Sequence, residues 1–119
     1  MGNPNVKIVE SYLNAIKNKD LGTAPVDKEI SFEDPLTTPR SGVQAWTEFV
    51  SGVAPAITDI RIKQHIAEGE HVATLWDAHT VWGVIPIFEY FRVSNGLIRE
   101  AKAFFDPLPI KSAVSKDGE

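Results

Sequence analysis

Apolar residues recur at helical spacing in two places before the chain changes to alternation. Val6, Val9, Leu13 and Ile16 repeat at intervals of three and four, with Ile8 and Tyr12 bordering the stripe, which predicts a helix from about Pro4 to Asn18. Asn3 followed by Pro4 reads as an N-cap with proline at the first helical position. Gly22 and Pro25 then leave room for one or two turns at most. From Glu29 the period is two: Ile30 and Phe32 share one face of a strand, and Asp34 continues their parity. Pro35, Pro39 and Gly42 mark a turn region. Ser41 with Gln44 resembles a capping box, and Val43, Trp46, Phe49, Val50 and Val53 supply the stripe of a second helix that ends before Pro55.

Beyond Pro55 the pattern is a strand meander, with strands over Ile57–Ala67, Val72–Trp82, Ile85–Val93 and Leu97–Phe105 and turns at Glu68-Gly69-Glu70 and Ser94-Asn95-Gly96. Helices first and strands afterwards is the α+β order. The expected fold is a single α+β domain over residues 1–110, in which a curved antiparallel sheet is closed by N-terminal helices around an apolar pocket. Residues 111–119 are polar and are expected to form a flexible tail.

Composition narrows the function classes. A net charge of -4 with scattered Lys and Arg argues against nucleic acid as a partner, since a phosphate surface needs clustered cations. No apolar run is long enough to span a bilayer, and the amino terminus lacks the basic and apolar regions of a leader, so no membrane partner and a cytoplasmic location are expected. The absence of Cys excludes disulfides, thiolate nucleophiles and Cys-bound zinc. His65 and His71 lie on the two arms of one hairpin without a carboxylate cluster at ligand spacing, so no metal is expected.

Asp34, Glu89 and Tyr12 are the leading candidates for chemistry. Asp34 ends an apolar strand face, where it is either a turn cap before Pro35 or a carboxylate at the pocket. Glu89 is the one acid in the row Ile85, Ile87, Phe91 and Val93. A two-residue turn at Asn95-Gly96 would set it opposite Lys102 as a cross-strand salt bridge. A three-residue loop with Gly96 left-handed would set it opposite Ala101, unpaired, on a wall continued by Ala103 and Phe105. The second register is favoured, because the alanines leave room for a ligand beside a carboxyl that would stay protonated. Tyr12 is either a core tyrosine or, in company with Glu89, a second donor to an oxyanion. Phe32, Trp46, Phe49, Val50, Phe91, Ala101, Ala103 and Phe105 are the candidate lining of the ligand pocket. Asp77 and His79 share a parity and could form a general-base dyad, but the strand from Val72 to Trp82 does not reveal which face is inward.

The chain resembles a known family. Ser11-Tyr12-Leu13-Asn14-Ala15 with Lys19-Asp20-Leu21, then Phe32-Glu33-Asp34-Pro35 with Pro39-Arg40-Ser41-Gly42, look like the opening half of ketosteroid isomerases, and Pro86-Ile87-Phe88-Glu89-Tyr90-Phe91-Arg92-Val93 looks like their acidic strand. From about Val6 to Pro107 the chain is similar to the NTF2-like superfamily, which includes SnoaL-like polyketide cyclases and limonene epoxide hydrolases. The resemblance implies a cone of curved sheet closed by helices, often dimeric. It gives Tyr12 the role of oxyanion-hole tyrosine, Asp34 that of proton shuttle and Glu89 that of protonated oxyanion-hole acid; this splitting of carboxyl pKa values is the family's own logic. Glu89 stands where the family has aspartate, and Val50 where a further tyrosine would be expected.

The resulting expectation is an isomerase that shifts a double bond in a small hydrophobic carbonyl compound through an enolate, with no cofactor. The alternatives are a non-catalytic NTF2-like binding or interaction module, and cyclase or epoxide-hydrolase chemistry at Asp77 and His79. A homodimer is expected, with Trp76 and Trp82 contributing apolar sheet surface.

Overall fold

The computed structural model describes residues 2–117. Helix α1 covers Asn5–Lys17, β1 Val26–Asp34, β2 Thr37–Ser41, α2 Val43–Val53, β3 Ile57–Glu68, β4 His71–Thr80, β5 Gly83–Ser94, β6 Leu97–Phe104 and α3 Leu108–Asp117, with single 3-10 turns at Leu21–Thr23 and Ala54–Ala56. The α+β expectation holds. Residues from Lys111 onward, expected as a tail, are wound into α3 as far as Asp117, and residues 118 and 119 lie outside the described residues.

Asn3 starts α1 as its side chain suggests, since its Oδ1 accepts the backbone N–H of Asn5 at 2.9 Å. The helix buries Val9, Tyr12, Leu13, Ala15 and Ile16, one face at spacings of three and four. The second helix begins differently from expectation. No Ser41–Gln44 capping box forms: Ser41 closes β2, and the N-cap is Gly42, whose φ of 101° suits glycine. Its N–H donates to Ile30 O at 2.8 Å, which ties the start of α2 to β1.

The six strands form one sheet in the order β2-β1-β6-β5-β4-β3. All neighbours are antiparallel except β1 and β6, so the sheet is not wholly antiparallel as expected. The exception follows from connectivity, because α2 carries the chain from the β1–β2 hairpin to the far edge and the meander then returns β6 beside β1. Bulges interrupt the β1–β2, β3–β4 and β5–β6 ladders, and each bends its strand and adds twist. The core lies between the concave face and the two main helices, with α1 packed on β3 and α2 on β1.

The inward row of β5 is fully buried from Ile85 through Ile87, Glu89 and Phe91 to Val93. Pairing then fixes β4, since Thr74, Trp76 and Ala78 stand opposite Glu89, Ile87 and Ile85 and are buried too. Asp77 and His79 therefore occupy the outer face. Trp76, expected on an outer surface, is turned into the core, and β4 ends at Thr80, leaving Trp82 in the following turn.

Candidate functional site

A cavity of about 120 Å³ lies between the concave face of the sheet and the inner faces of α1 and α2. Its lining is apolar or aromatic apart from Tyr12, Asp34, Thr80 and Glu89. Thr80 is engaged elsewhere, its hydroxyl donating to Gly83 O at 2.7 Å and accepting from Trp82 N–H at 3.0 Å. Three groups with chemistry thus meet in one cavity, contributed by α1, the end of β1 and the middle of β5.

Tyr12 faces inward because it sits three residues beyond Val9 on the buried stripe. Phe91 packs edge-on against its ring at 5.2 Å, and Trp46 lies at 5.6 Å with its Nε1 donating to the Tyr12 hydroxyl oxygen at 3.0 Å. Burial, followed by the nearby Glu89 carboxyl, holds the phenol well above its usual pKa of 10.0, so it is a donor at neutral pH.

Asp34 satisfies both of its sequence readings at once. The Leu36 N–H donates to its Oδ1 at 2.7 Å, a turn cap, while the carboxyl also lines the cavity. Burial raises its pKa from 3.8, and backbone hydrogen bonds from Leu36 and Thr37 oppose that rise.

Glu89 is buried, and its register is neither of the two weighed from the sequence. Asn95 and Gly96 both have positive φ and make a two-residue turn, with Ser94 opposite Leu97. Arg99 is then an extra residue in β6: Val93 faces Ile98, but Arg92 faces Glu100, and Glu89 consequently faces Ala103. The expected opposition to Ala101 belongs instead to Phe91, and Lys102 stands opposite Tyr90. Lys102 Nζ lies 3.4 Å from Glu33 and 3.9 Å from Glu100, so no salt bridge reaches Glu89. Trp76 Nε1 donates to Glu89 Oε1 at 3.2 Å. Burial pushes the carboxyl up to about 8 against the opposing indole hydrogen bond, helped by the charge of Asp34.

Of the residues expected to line the pocket, Phe49, Val50, Ala103 and Phe105 do so. Phe32, Trp46, Phe91 and Ala101 do not: they are buried behind the wall, with Trp46 and Phe91 supporting Tyr12 and Phe32 packed against Phe49 at 5.9 Å. Strand β4 and its following turn add Trp76, Ala78 and Trp82 to the lining, and β5 adds Ile85 and Ile87. The alternation of β5 was the signal for its two isoleucines. The β4 residues had none until pairing was known.

Asp77 and His79 do not face the cavity. Asp77 Oδ2 lies 3.2 Å from Lys63 Nζ, and its Oδ1 is buried without a partner among the described residues. His65 hydrogen-bonds Thr74 Oγ1 at 2.8 Å and Glu10 Oε2 at 3.2 Å. Among the described residues no group of three His, Asp or Glu side chains could hold a metal ion, and no helix is long and apolar enough to cross a membrane.

A family model described as a domain of unknown function, DUF4904, matches residues 2–116. The chain belongs to the DUF4904 family. No curated protein matches it. Its fold is NTF2-like. An NTF2-like protein of unknown function from Cytophaga hutchinsonii superposes with a TM-score of 0.79 at 16% identity, over 93% of this chain and 97% of that one. A candidate ketosteroid isomerase from Kribbella flavida gives 0.72 at 12% identity, over 84% and 76%. An LEH-like epoxide hydrolase from M. tuberculosis gives 0.72 at 19% identity, over 93% and 89%. At these identities the likeness is one of fold, and chemistry has to be argued from the site.

Proposed function

We propose that this DUF4904 chain is a double-bond isomerase of the ketosteroid-isomerase type, acting on a small hydrophobic carbonyl compound. The observation that carries this reading is the meeting of Tyr12, Asp34 and Glu89 in one apolar cavity, two of them held protonated and the third able to ionise. Environments that push neighbouring carboxyls toward different protonation states suit them to different roles.

The chemistry balances without a cofactor. A β,γ-unsaturated ketone enters with its carbonyl oxygen beside Tyr12 and Glu89. Asp34 takes the α-proton, and the C–H electron pair passes into the carbonyl to give a dienolate. Its oxygen accepts hydrogen bonds from the phenol and the carboxylic acid, which strengthen as negative charge develops between apolar walls. Asp34 then returns the proton at the γ-carbon, leaving an α,β-unsaturated ketone. A base pKa raised toward neutrality suits proton transfer better than an ordinary aspartate would.

The rival readings have less support. A binding module without chemistry would be favoured by neutralisation of Glu89 by Lys102, but Lys102 is engaged by Glu33 and Glu100. Hydrolysis or cyclisation at Asp77 and His79 would need that pair in the cavity, and it lies on the opposite face of the sheet. The proposal includes a cytoplasmic homodimer.

The test is conversion of a series of β,γ-unsaturated cyclic ketones, read by absorbance of the conjugated product. Wild type should convert at least one. Asp34→Asn, which keeps an acceptor for Leu36 N–H, should fold and lose ~10²–10⁴ in turnover. A wild-type chain inert toward the whole series overturns the proposal.

A further inference from the structure

Trp46 and Trp76 stand on different elements, α2 and β4, yet make the same kind of contact with different members of the site. Each donates its indole N–H to an oxygen: Trp46 to the Tyr12 hydroxyl at 3.0 Å and Trp76 to Glu89 Oε1 at 3.2 Å. The indole nitrogen donates and cannot accept. Each contact therefore occupies an oxygen lone pair and leaves the O–H proton of the phenol, and of the protonated carboxyl, unspent. Neither Tyr12 nor Glu89 has another side-chain hydrogen bond among the described residues. Both border the cavity, and most of the wall around them is hydrocarbon. The remaining place for each proton is on an acceptor inside the cavity.

Size adds a second restriction. At about 120 Å³ the cavity is close to the ~150 Å³ space that takes up a benzene ring in an engineered protein core, and far short of four fused rings. Resting on the isomerase reading of this site, we infer that Trp46 and Trp76 are positioning residues that commit the O–H groups of Tyr12 and Glu89 to one acceptor atom, and that the ligand so selected is a one-ring molecule bearing an enolate or phenolate oxygen. One such oxygen has lone pairs for both donors, and its charge strengthens both bonds. A ligand presenting its own O–H or N–H toward the pair would leave both O–H protons without an acceptor.

Trp46 makes the inference testable, because it lies behind the wall and touches Tyr12 without lining the cavity. Binding is measured in the Asp34→Asn background, which removes turnover and the carboxylate charge that would repel an anion. The probes are 4-nitrophenol, whose phenolate absorbance reports the bound form, and 4-nitrotoluene, which has nearly the same shape and no oxygen substituent that ionises. The site should bind the nitrophenolate at least ~10-fold more tightly than the toluene, and Trp46→Phe and Trp76→Phe should each cut that preference by ~10-fold, about what one charge-assisted hydrogen bond is worth. Affinity for 4-nitrotoluene should change by less than ~3-fold in Trp46→Phe, whose indole lies outside the lining, and in Trp76→Phe, which alters the wall, the loss should be larger for the nitrophenolate than for the toluene. Equal losses for both probes, or an unchanged preference in both variants, would overturn the inference. Should one variant not fold, the other decides, since the two remove independent donors. A protein that shows the phenolate preference and its tryptophan dependence but converts no enone overturns the isomerase proposal alone. A protein that converts enones while its phenolate preference ignores both tryptophans overturns this inference alone.

Discussion

Glu89 stands opposite Ala103 in the β5–β6 ladder, one position from Lys102, and so meets a methyl group where a cation would have neutralised it. That displacement comes from the single extra residue Arg99, which is itself held by a 2.6 Å contact to Asp27 on β1. The acid is left with an indole donor and hydrocarbon, and burial holds its proton up to about 8.

The raised pKa makes stability depend on pH with a definite sign. The folded chain binds this proton more tightly than the unfolded chain, whose glutamate titrates near 4.5. The stabilisation is complete below about 4.5 and is lost as pH rises toward about 8, by roughly 1.4 kcal/mol per unit within that window. Glu89→Gln has no charge to bury and should escape the loss. Urea melts of the two proteins should therefore diverge in favour of the variant as pH rises. Parallel stability curves would show that Glu89 ionises normally in the folded state.

The same two carboxyls predict the pH profile of turnover. Activity should rise as Asp34 ionises, above the 3.8 of an ordinary aspartate, and fall near 8 as Glu89 loses its proton. Glu89→Gln should abolish the alkaline limb of kcat/KM and keep the acid limb. An alkaline limb that survives the substitution belongs to another group.

Alternation was enough to find the row from Ile85 to Val93 and to mark Glu89 and Asp34 as carboxyls on apolar faces. It specified the face and not the depth. Phe32, Trp46, Phe91 and Ala101 share inward faces with true lining residues but sit where elements close on one another, so they support the wall from behind. Register was less legible still. Asn95-Gly96 is a strong two-residue turn signal, and nothing in the residues near Arg99 announces the bulge that moves Glu89 past Lys102. Strand β2 was hidden by Pro39, which is tolerated because β2 is the sheet edge, where a missing N–H leaves no ladder bond unmade. The inward face of β4 could not be chosen from its own mixed rows and became clear only through its pairing with β5.

Cavity size predicts substrate preference. With Trp76, Phe49 and Ile87 in its wall and a volume of about 120 Å³, the site should prefer one-ring enones to fused-ring steroids. In a matched series kcat/KM should be highest for single-ring substrates and fall by ~10-fold or more once a second fused ring is added. Ile87→Ala removes several methyl and methylene groups from the wall and should relax this limit, at a cost of about 2–5 kcal/mol in stability. Equal rates across one-, two- and four-ring substrates would place the substrate outside this cavity.

The outer face of the sheet predicts assembly. Leu75, Phe88 and Phe104 are register partners across β4, β5 and β6, and they form an apolar row whose members are 36%, 43% and 60% exposed. In the adjacent row Asp77, opposite Pro86, carries a buried Oδ1 without a hydrogen-bond donor among the described residues. A second copy laid across this face would cover the row and could supply the donor, since a twofold interface brings the same patch from both partners. Light scattering at micromolar concentration should therefore give twice the mass of the chain. Phe88→Lys would bury an unpaired charge at the centre of that contact and should yield a monomer. Because Phe88 points away from the cavity, whose wall takes Ile87 and Glu89 from the same strand, the monomer should keep its fold and its affinity for one-ring ligands. A wild-type mass of one chain would show that the row is simply exposed, and a Phe88→Lys dimer would move the interface to another face.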